Sequence, residues 1–133
     1  MTSSSRTLLI VEDDASMRQS MERLLGTAGF AVRAYESAEV ALTAGIPHEI
    51  ACIISDLRLP GISGLELLAL LRKRGCSTPL IVITAFDAPG LVKEAIDAGA
   101  VAYLVKPFLG SDLLEAIRTA ITGLDSNSSG AAH

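Results

Sequence analysis

Five short apolar runs, at 7–11, 30–35, 50–55, 79–84 and 101–105, recur along the chain with helix-length intervals between them. They are rich in the β-branched residues that strands favour, and their near-continuous hydrophobicity reads as strands buried on both faces. The intervals change period. Met17, Met21, Leu24, Leu25 and Ala28 recur at helical spacing, Val92, Ala95 and Ile96 do so more briefly, and Leu113, Leu114, Ile117, Ile121 and Leu124 form the clearest amphipathic stripe. Ser63 and Glu66 have the S-x-x-E spacing of a capping box, which opens a helix over 64–74 that ends before Gly75. Gly29, Gly45 and Gly99 stand near other helix ends. Five successive βα units imply an α/β fold, a (βα)5 doubly wound five-stranded parallel sheet with right-handed crossovers and helices on both faces. Periodicity leaves the strand order open.

Composition narrows the class. A chain of 133 residues makes one domain with a real core, and with half its residues apolar but 4% aromatic that core is aliphatic. The formal charge of −4 argues against direct nucleic-acid binding. No apolar run approaches the ~18 residues of a membrane span, and Met-Thr-Ser-Ser-Ser-Arg is no signal peptide, so the expected location is cytoplasmic, with no membrane partner. Cys52, in a buried strand, and Cys76, in a loop, lack metal-ligand spacing and read as free thiols. Residues 1–6 are expected to be disordered, 7–124 to form the domain, and 125–133, without apolar pattern, to be a flexible tail or the start of a linker.

The chemistry lies where the runs stop. Glu12 and Asp13 follow the first run, Asp56 the third, Thr84 closes the fourth and Lys106 follows the fifth. In a parallel sheet these ends share one edge, where open α/β folds place their ligands. Two carboxylates ~4 Å apart repel by ~4 kcal/mol at an effective dielectric of about 20, so the cluster calls for protons or a cation. With only oxygen ligands on offer the natural ion is hard and divalent; Mg2+ fits best, with Mn2+ as the alternative. Lys106 suits a phosphate, Thr84 offers a hydroxyl, and a carboxylate can itself become an aspartyl phosphate. Asp56, alone on a middle strand, is the candidate nucleophile. Singly, each residue has a bland explanation: a turn at Asp56 or Lys106-Pro107, a backbone-bonded hydroxyl at Thr84, helix capping at 12–14, which is the role expected of Asp14. Their coincidence at four strand ends favours a site.

The stretches Leu-Ile-Val-Glu-Asp-Asp (9–14), Ser-Asp-Leu-Arg-Leu-Pro-Gly-Ile-Ser-Gly-Leu-Glu-Leu-Leu (55–68), Pro-Leu-Ile-Val-Ile-Thr-Ala (79–85) and Ala-Tyr-Leu-Val-Lys-Pro-Phe (102–108) resemble the receiver domain of bacterial two-component response regulators. The resemblance covers residues 7–123. It implies CheY-like, flavodoxin-like topology with strand order 2-1-3-4-5. It makes Asp56 the phosphoacceptor, Asp13 a direct Mg2+ ligand, Glu12 a ligand largely through water and the Arg58 carbonyl a further ligand. Thr84 matches the switch hydroxyl, Tyr103 the switch aromatic, Lys106 the phosphate-contacting lysine, and Lys106-Pro107 the commonly cis peptide. The implied activity is uptake of a phosphoryl group from a sensor histidine kinase, followed by a change in the surface of the fourth helix, fifth strand and fifth helix. That surface would control an output domain or downstream protein, or form a homodimer. Such a domain is not an enzyme beyond catalysing its own phosphorylation and dephosphorylation. Motif details, notably Leu-Pro-Gly-Ile-Ser-Gly and Lys-Pro-Phe, are closest to receivers of the FixJ/NarL kind, which usually precede DNA-binding domains. Arg58 and Phe86 are expected to flank the path of a hydrolytic water, and Pro89-Gly90 to open the fourth helix.

Rival readings fit less well. A dehalogenase-like hydrolase wants D-x-D-x-T/V after its first strand, where this chain has Glu-Asp-Asp-Ala-Ser (12–16). A TOPRIM-type nuclease wants D-x-D where Asp56-Leu57-Arg58 gives Arg, and no glycine-rich turn for a nucleotide follows Val11. A flavodoxin-like electron carrier needs phosphate-binding hydroxyls and aromatics, not an acidic site. The alternative of another class is a receiver-like interaction domain that works without phosphorylation.

Overall fold

The computed structural model describes residues 6–47, 49–85 and 89–130. Its elements alternate: β1 (Thr7–Val11), α1 (Ala15–Thr27), β2 (Ala31–Tyr35), α2 (Ala38–Ala44), β3 (Ile50–Asp56), α3 (Gly64–Lys73), β4 (Leu80–Thr84), α4 (Pro89–Asp97), β5 (Ala102–Val105) and α5 (Gly110–Gly130). All pairings are parallel and the order is β2-β1-β3-β4-β5. Each expected strand is present, with bounds shifted by at most one residue.

The period-2 alternation of the strands splits the core into two layers. Leu9, Val11, Ile53, Leu80 and Val82 face Ala38 and Ala41 of α2, Leu67, Leu68 and Leu71 of α3, and Ala95 of α4. Leu8, Ile10, Cys52, Ile54, Ile81 and Ile83 face Met21 and Leu25 of α1 and Leu113, Ile117 and Ile121 of α5. Burying each of the leucine, isoleucine, valine and methionine side chains contributes roughly 1.5–3 kcal/mol, which is why the three inner strands are apolar on both faces. The edge strands β2 and β5 keep partly exposed positions.

Side-chain caps fix where helices start. Asp14 accepts the Met17 N–H at 3.2 Å and caps α1, as expected. The capping box of α3 is complete: the Ser63 hydroxyl accepts the Glu66 N–H at 3.1 Å, and the Ser63 N–H donates to the Glu66 carboxylate at 2.9 Å. α5 differs from expectation by running on to Gly130, past Leu124, the last residue of its stripe. Once nucleated on its packed turns, a helix gains one backbone bond for each residue added, so continuation needs no apolar partner. The expectations for residues 1–5 and 131–133 fall outside the described residues.

Gly64 sets the helix against the strand that precedes it. Its N–H donates to the Leu57 carbonyl at 3.0 Å, and a Cβ here would run into the Asp56 carbonyl and the Leu57 backbone. Gly64→Ala should therefore destabilise the domain by roughly 2–4 kcal/mol, read as a drop in the urea midpoint at unchanged m-value. An unchanged midpoint would show that α3 slides freely on β3.

Both cysteines are free thiols. Burial pushes the Cys52 thiol up to about 12. The unfolded state then gives up its proton first, so stability falls as pH rises above the ordinary thiol range, by up to about 1.4 kcal/mol per pH unit. Cys52→Val should remove that alkaline loss, measured as urea midpoints compared at about pH 8 and about pH 10. At the lower pH a thiol reagent should label Cys76 and spare Cys52.

Candidate functional site

Parallel register brings the strand ends level. Val11 lies opposite Ser55, Asp56 opposite Ile83, and Thr84 opposite Val105. Glu12, one residue past β1, and Lys106, one past β5, therefore flank Asp56, the last residue of β3. The backbone carries on this alignment: the Leu57 N–H donates to the Ile83 carbonyl and the Lys106 N–H to the Thr84 carbonyl, each at 2.7 Å.

Lys106 bridges two carboxylates. Its ammonium Nζ lies 2.9 Å from Asp56 Oδ2 and 2.8 Å from Glu12 Oε1. The second contact is an ion pair without good hydrogen-bond angles, which leaves Glu12 Oε1 buried with no well-directed donor. The other Asp56 oxygen, Oδ1, accepts the Arg58 N–H at 3.0 Å, so both oxygens of the carboxylate are held. Glu12 Oε2 accepts the Asp14 N–H at 3.1 Å. Glu12 and Asp56 are 1% and 6% exposed, whereas Asp13 is open to solvent.

Burial sets the electrostatics. It raises the Glu12 carboxyl, aided by the Asp56 charge, against the opposing pull of Lys106 and the Asp14 N–H. For Lys106 burial works downward, but the two carboxylates together outweigh it and hold the ammonium above its ordinary value. Oxygen atoms of Glu12, Asp13 and Asp56 all lie within 4.8 Å of one another, and two of these three carboxylates share the one Lys106 ammonium. An all-oxygen set with one buried oxygen lacking a directed donor fits a hard divalent cation such as Mg2+.

Thr84 is buried at the end of β4, and Tyr103, in register with Val82 on the neighbouring strand, is 42% exposed. The Lys106-Pro107 peptide is cis. α4 does begin at Pro89, and Phe86 lies outside the described residues. Two residues that sequence reasoning passed over also shape the site. Arg18, one turn into α1, donates from Nη1 to the Glu12 carbonyl at 2.8 Å, and Glu39 of α2 reaches the loop after β3. A surface groove lies elsewhere, between β5 and α5, and none of the carboxylates of the cluster lines it. A site for a small ion and a phosphoryl group needs no such groove.

A parallel sheet in the order β2-β1-β3-β4-β5 thus gathers acidic residues, a hydroxyl and a lysine at the carboxyl ends of its strands, the arrangement of a receiver-type α/β domain. The chain matches the response regulator receiver domain family over residues 8–118 and belongs to it. It is 40% identical over 112 residues to the transcriptional regulatory protein FixJ of Azorhizobium caulinodans, covering 84% of this chain and 53% of that protein. It is 35% identical over 120 residues to the transcriptional regulatory protein TdiR of Thauera aromatica, covering 90% and 53%. The chain thus spans about half the length of these curated relatives. Among solved structures, FixJ-N superposes with a TM-score of 0.80 at 37% identity, covering 90% of this chain and 96% of that one. A CheY-like receiver domain protein from Methanospirillum hungatei gives 0.86 at 27% identity, covering 93% and 99%. Among the described residues no helix is long and apolar enough to cross a membrane.

Proposed function

We propose that Asp56 accepts a phosphoryl group from the phosphohistidine of a sensor kinase or from a small acyl phosphate. The observation that carries this reading is the ammonium of Lys106 set between Asp56 Oδ2 and Glu12 Oε1 at the sheet edge. A carboxylate oxygen of Asp56 attacks phosphorus, a P–O bond forms, and the bond to the donor's nitrogen or oxygen breaks, the electron pair leaving with the donor. Negative charge accumulates on the three equatorial oxygens, where a fixed cation stabilises the transition state more than the ground state. Lys106 supplies that charge. The Arg58 N–H holds Oδ1 and limits rotation of the carboxylate. A Mg2+ ion held by Asp13, Asp56 and the Arg58 carbonyl, and through water by Glu12, would add positive charge against the phosphoryl oxygens.

After transfer, Thr84 donates its hydroxyl to a phosphoryl oxygen, and Tyr103, half-exposed at rest, turns into the space that Thr84 leaves. That exchange shifts the population of the surface formed by α4, β5 and α5. The surface acts on a DNA-binding output domain, on a downstream protein or on a second copy of the chain; the relatives being transcriptional regulatory proteins supports the first of these. The domain catalyses only its own phosphorylation and dephosphorylation. Incubation with Mg2+ and an acyl phosphate tests the reading: intact-mass spectrometry should show the gain of one phosphate, labile to base. No gain would leave the protein a receiver-fold interaction domain that works by contact alone.

A further inference from the structure

The loop from Leu57 to Ser63, which follows Asp56, is tied at its base by the bond from the Gly64 N–H to the Leu57 carbonyl. Its tip is held from another element. Glu39, in the first turn of α2, accepts the Ile62 N–H on Oε2 at 2.8 Å across 23 residues of sequence. Gly61 makes room for this contact: its φ of +76° suits glycine, and a Cβ there would land on the Glu39 carboxylate. A carboxylate from one element, a donor from another and a missing side chain between them thus coincide at one point.

We propose that Glu39 is a positioning residue, a latch that fixes the 58–63 loop and through it the Arg58 backbone beside Asp56. The inference rests on the phosphoacceptor reading for its consequence, because Arg58 contributes its N–H to Asp56 and, on that reading, its carbonyl to Mg2+. Residues that orient ligands act on affinity and rate without touching the reacting atoms. The competing explanation is local: an acidic residue in a first turn stabilises its helix through the dipole. A neutral glutamine separates the two. It gives up the dipole benefit yet still offers an oxygen to the Ile62 N–H.

The test is Mg2+ titration of the donor-free protein by calorimetry, with amide NMR shifts of residues 58–63 recorded alongside. The variants are Glu39→Ala, Glu39→Gln, Gly61→Ala and the double variant Glu39→Ala/Gly61→Ala. Glu39→Ala should weaken Mg2+ binding roughly threefold to tenfold, while Glu39→Gln stays close to the parent. Gly61→Ala should weaken binding in the parent and add distinctly less in the Glu39→Ala background, since the contact it displaces is already gone. Unchanged Mg2+ affinity and loop shifts in a folded Glu39→Ala protein would overturn the latch. So would Glu39→Gln behaving like Glu39→Ala, or additive effects in the double variant. Parent protein that takes up no phosphate would instead overturn the phosphoacceptor reading, leaving the loop shifts to decide the latch.

Discussion

Asp56→Asn should gain no phosphate under conditions in which the parent chain gains one. The substitution keeps shape and leaves an oxygen to accept the Arg58 N–H, but an amide offers no anionic oxygen to attack phosphorus. The loss should exceed ~100-fold, the floor being set by detection rather than by residual chemistry. The variant should fold, and without metal it should be more stable than the parent. Three carboxylates crowd within 4.8 Å at rest with one ammonium shared by two of them, and removing one charge from this crowd relieves repulsion of roughly 1 kcal/mol, seen as a rise in Tm of about 3–5 °C. Added Mg2+ should then stabilise the parent more than the variant, since a ligand stabilises by its affinity for the folded state. A phosphorylated Asp56→Asn protein would move the acceptor to another residue.

Lys106→Met should have the second largest effect, and in two separable ways. Methionine keeps the length of the side chain and removes the charge. Glu12 and Asp56 are then left facing each other while nearly buried, and the metal-free protein should lose roughly 1–3 kcal/mol, measured by urea unfolding. Phosphorylation from an acyl phosphate should slow by on the order of 100-fold even with Mg2+ saturating, because the cation opposite the equatorial oxygens is gone. The carboxylates hold the Lys106 ammonium above its ordinary value, so its contribution to stability is complete through the neutral range and is lost only as pH rises through that raised value. A Lys106→Met protein with parental rates would show that the ammonium only neutralises the resting carboxylates.

The sequence carried much of this because the fold is built from local signals that agree. Apolar runs of β-branched residues become β1, β3 and β4 since both faces of those strands are covered, and Ser63 with Glu66 starts α3 where the spacing predicts. The site was legible because parallel strands deliver their carboxyl ends to one edge, so Glu12, Asp56, Thr84 and Lys106 need no long-range information to be grouped. What stayed hidden depends on geometry between elements. Nothing within a few residues of Glu39 or Ile62 announces that they meet, and Arg18 looks like any solvent-facing arginine until α1 turns it back onto the Glu12 carbonyl. The far end of α5 was missed for another reason: hydrophobic periodicity marks where a helix packs, whereas backbone bonding decides where it stops.

The order of the strands places β3 at the centre and β5 at the rim, with β4 alone between them. Two interstrand steps span about 10 Å, so the carboxylate at the middle and an aromatic at the edge are separated by little more than the width of one buried hydroxyl residue. On the proposed phosphoacceptor reading, a message over that distance would require no hinge and no domain rotation. It would ask only that Thr84 and Tyr103, on adjacent strands, exchange a small volume beside the fully buried β4, whose close packing leaves little room for the exchange to spread into the core.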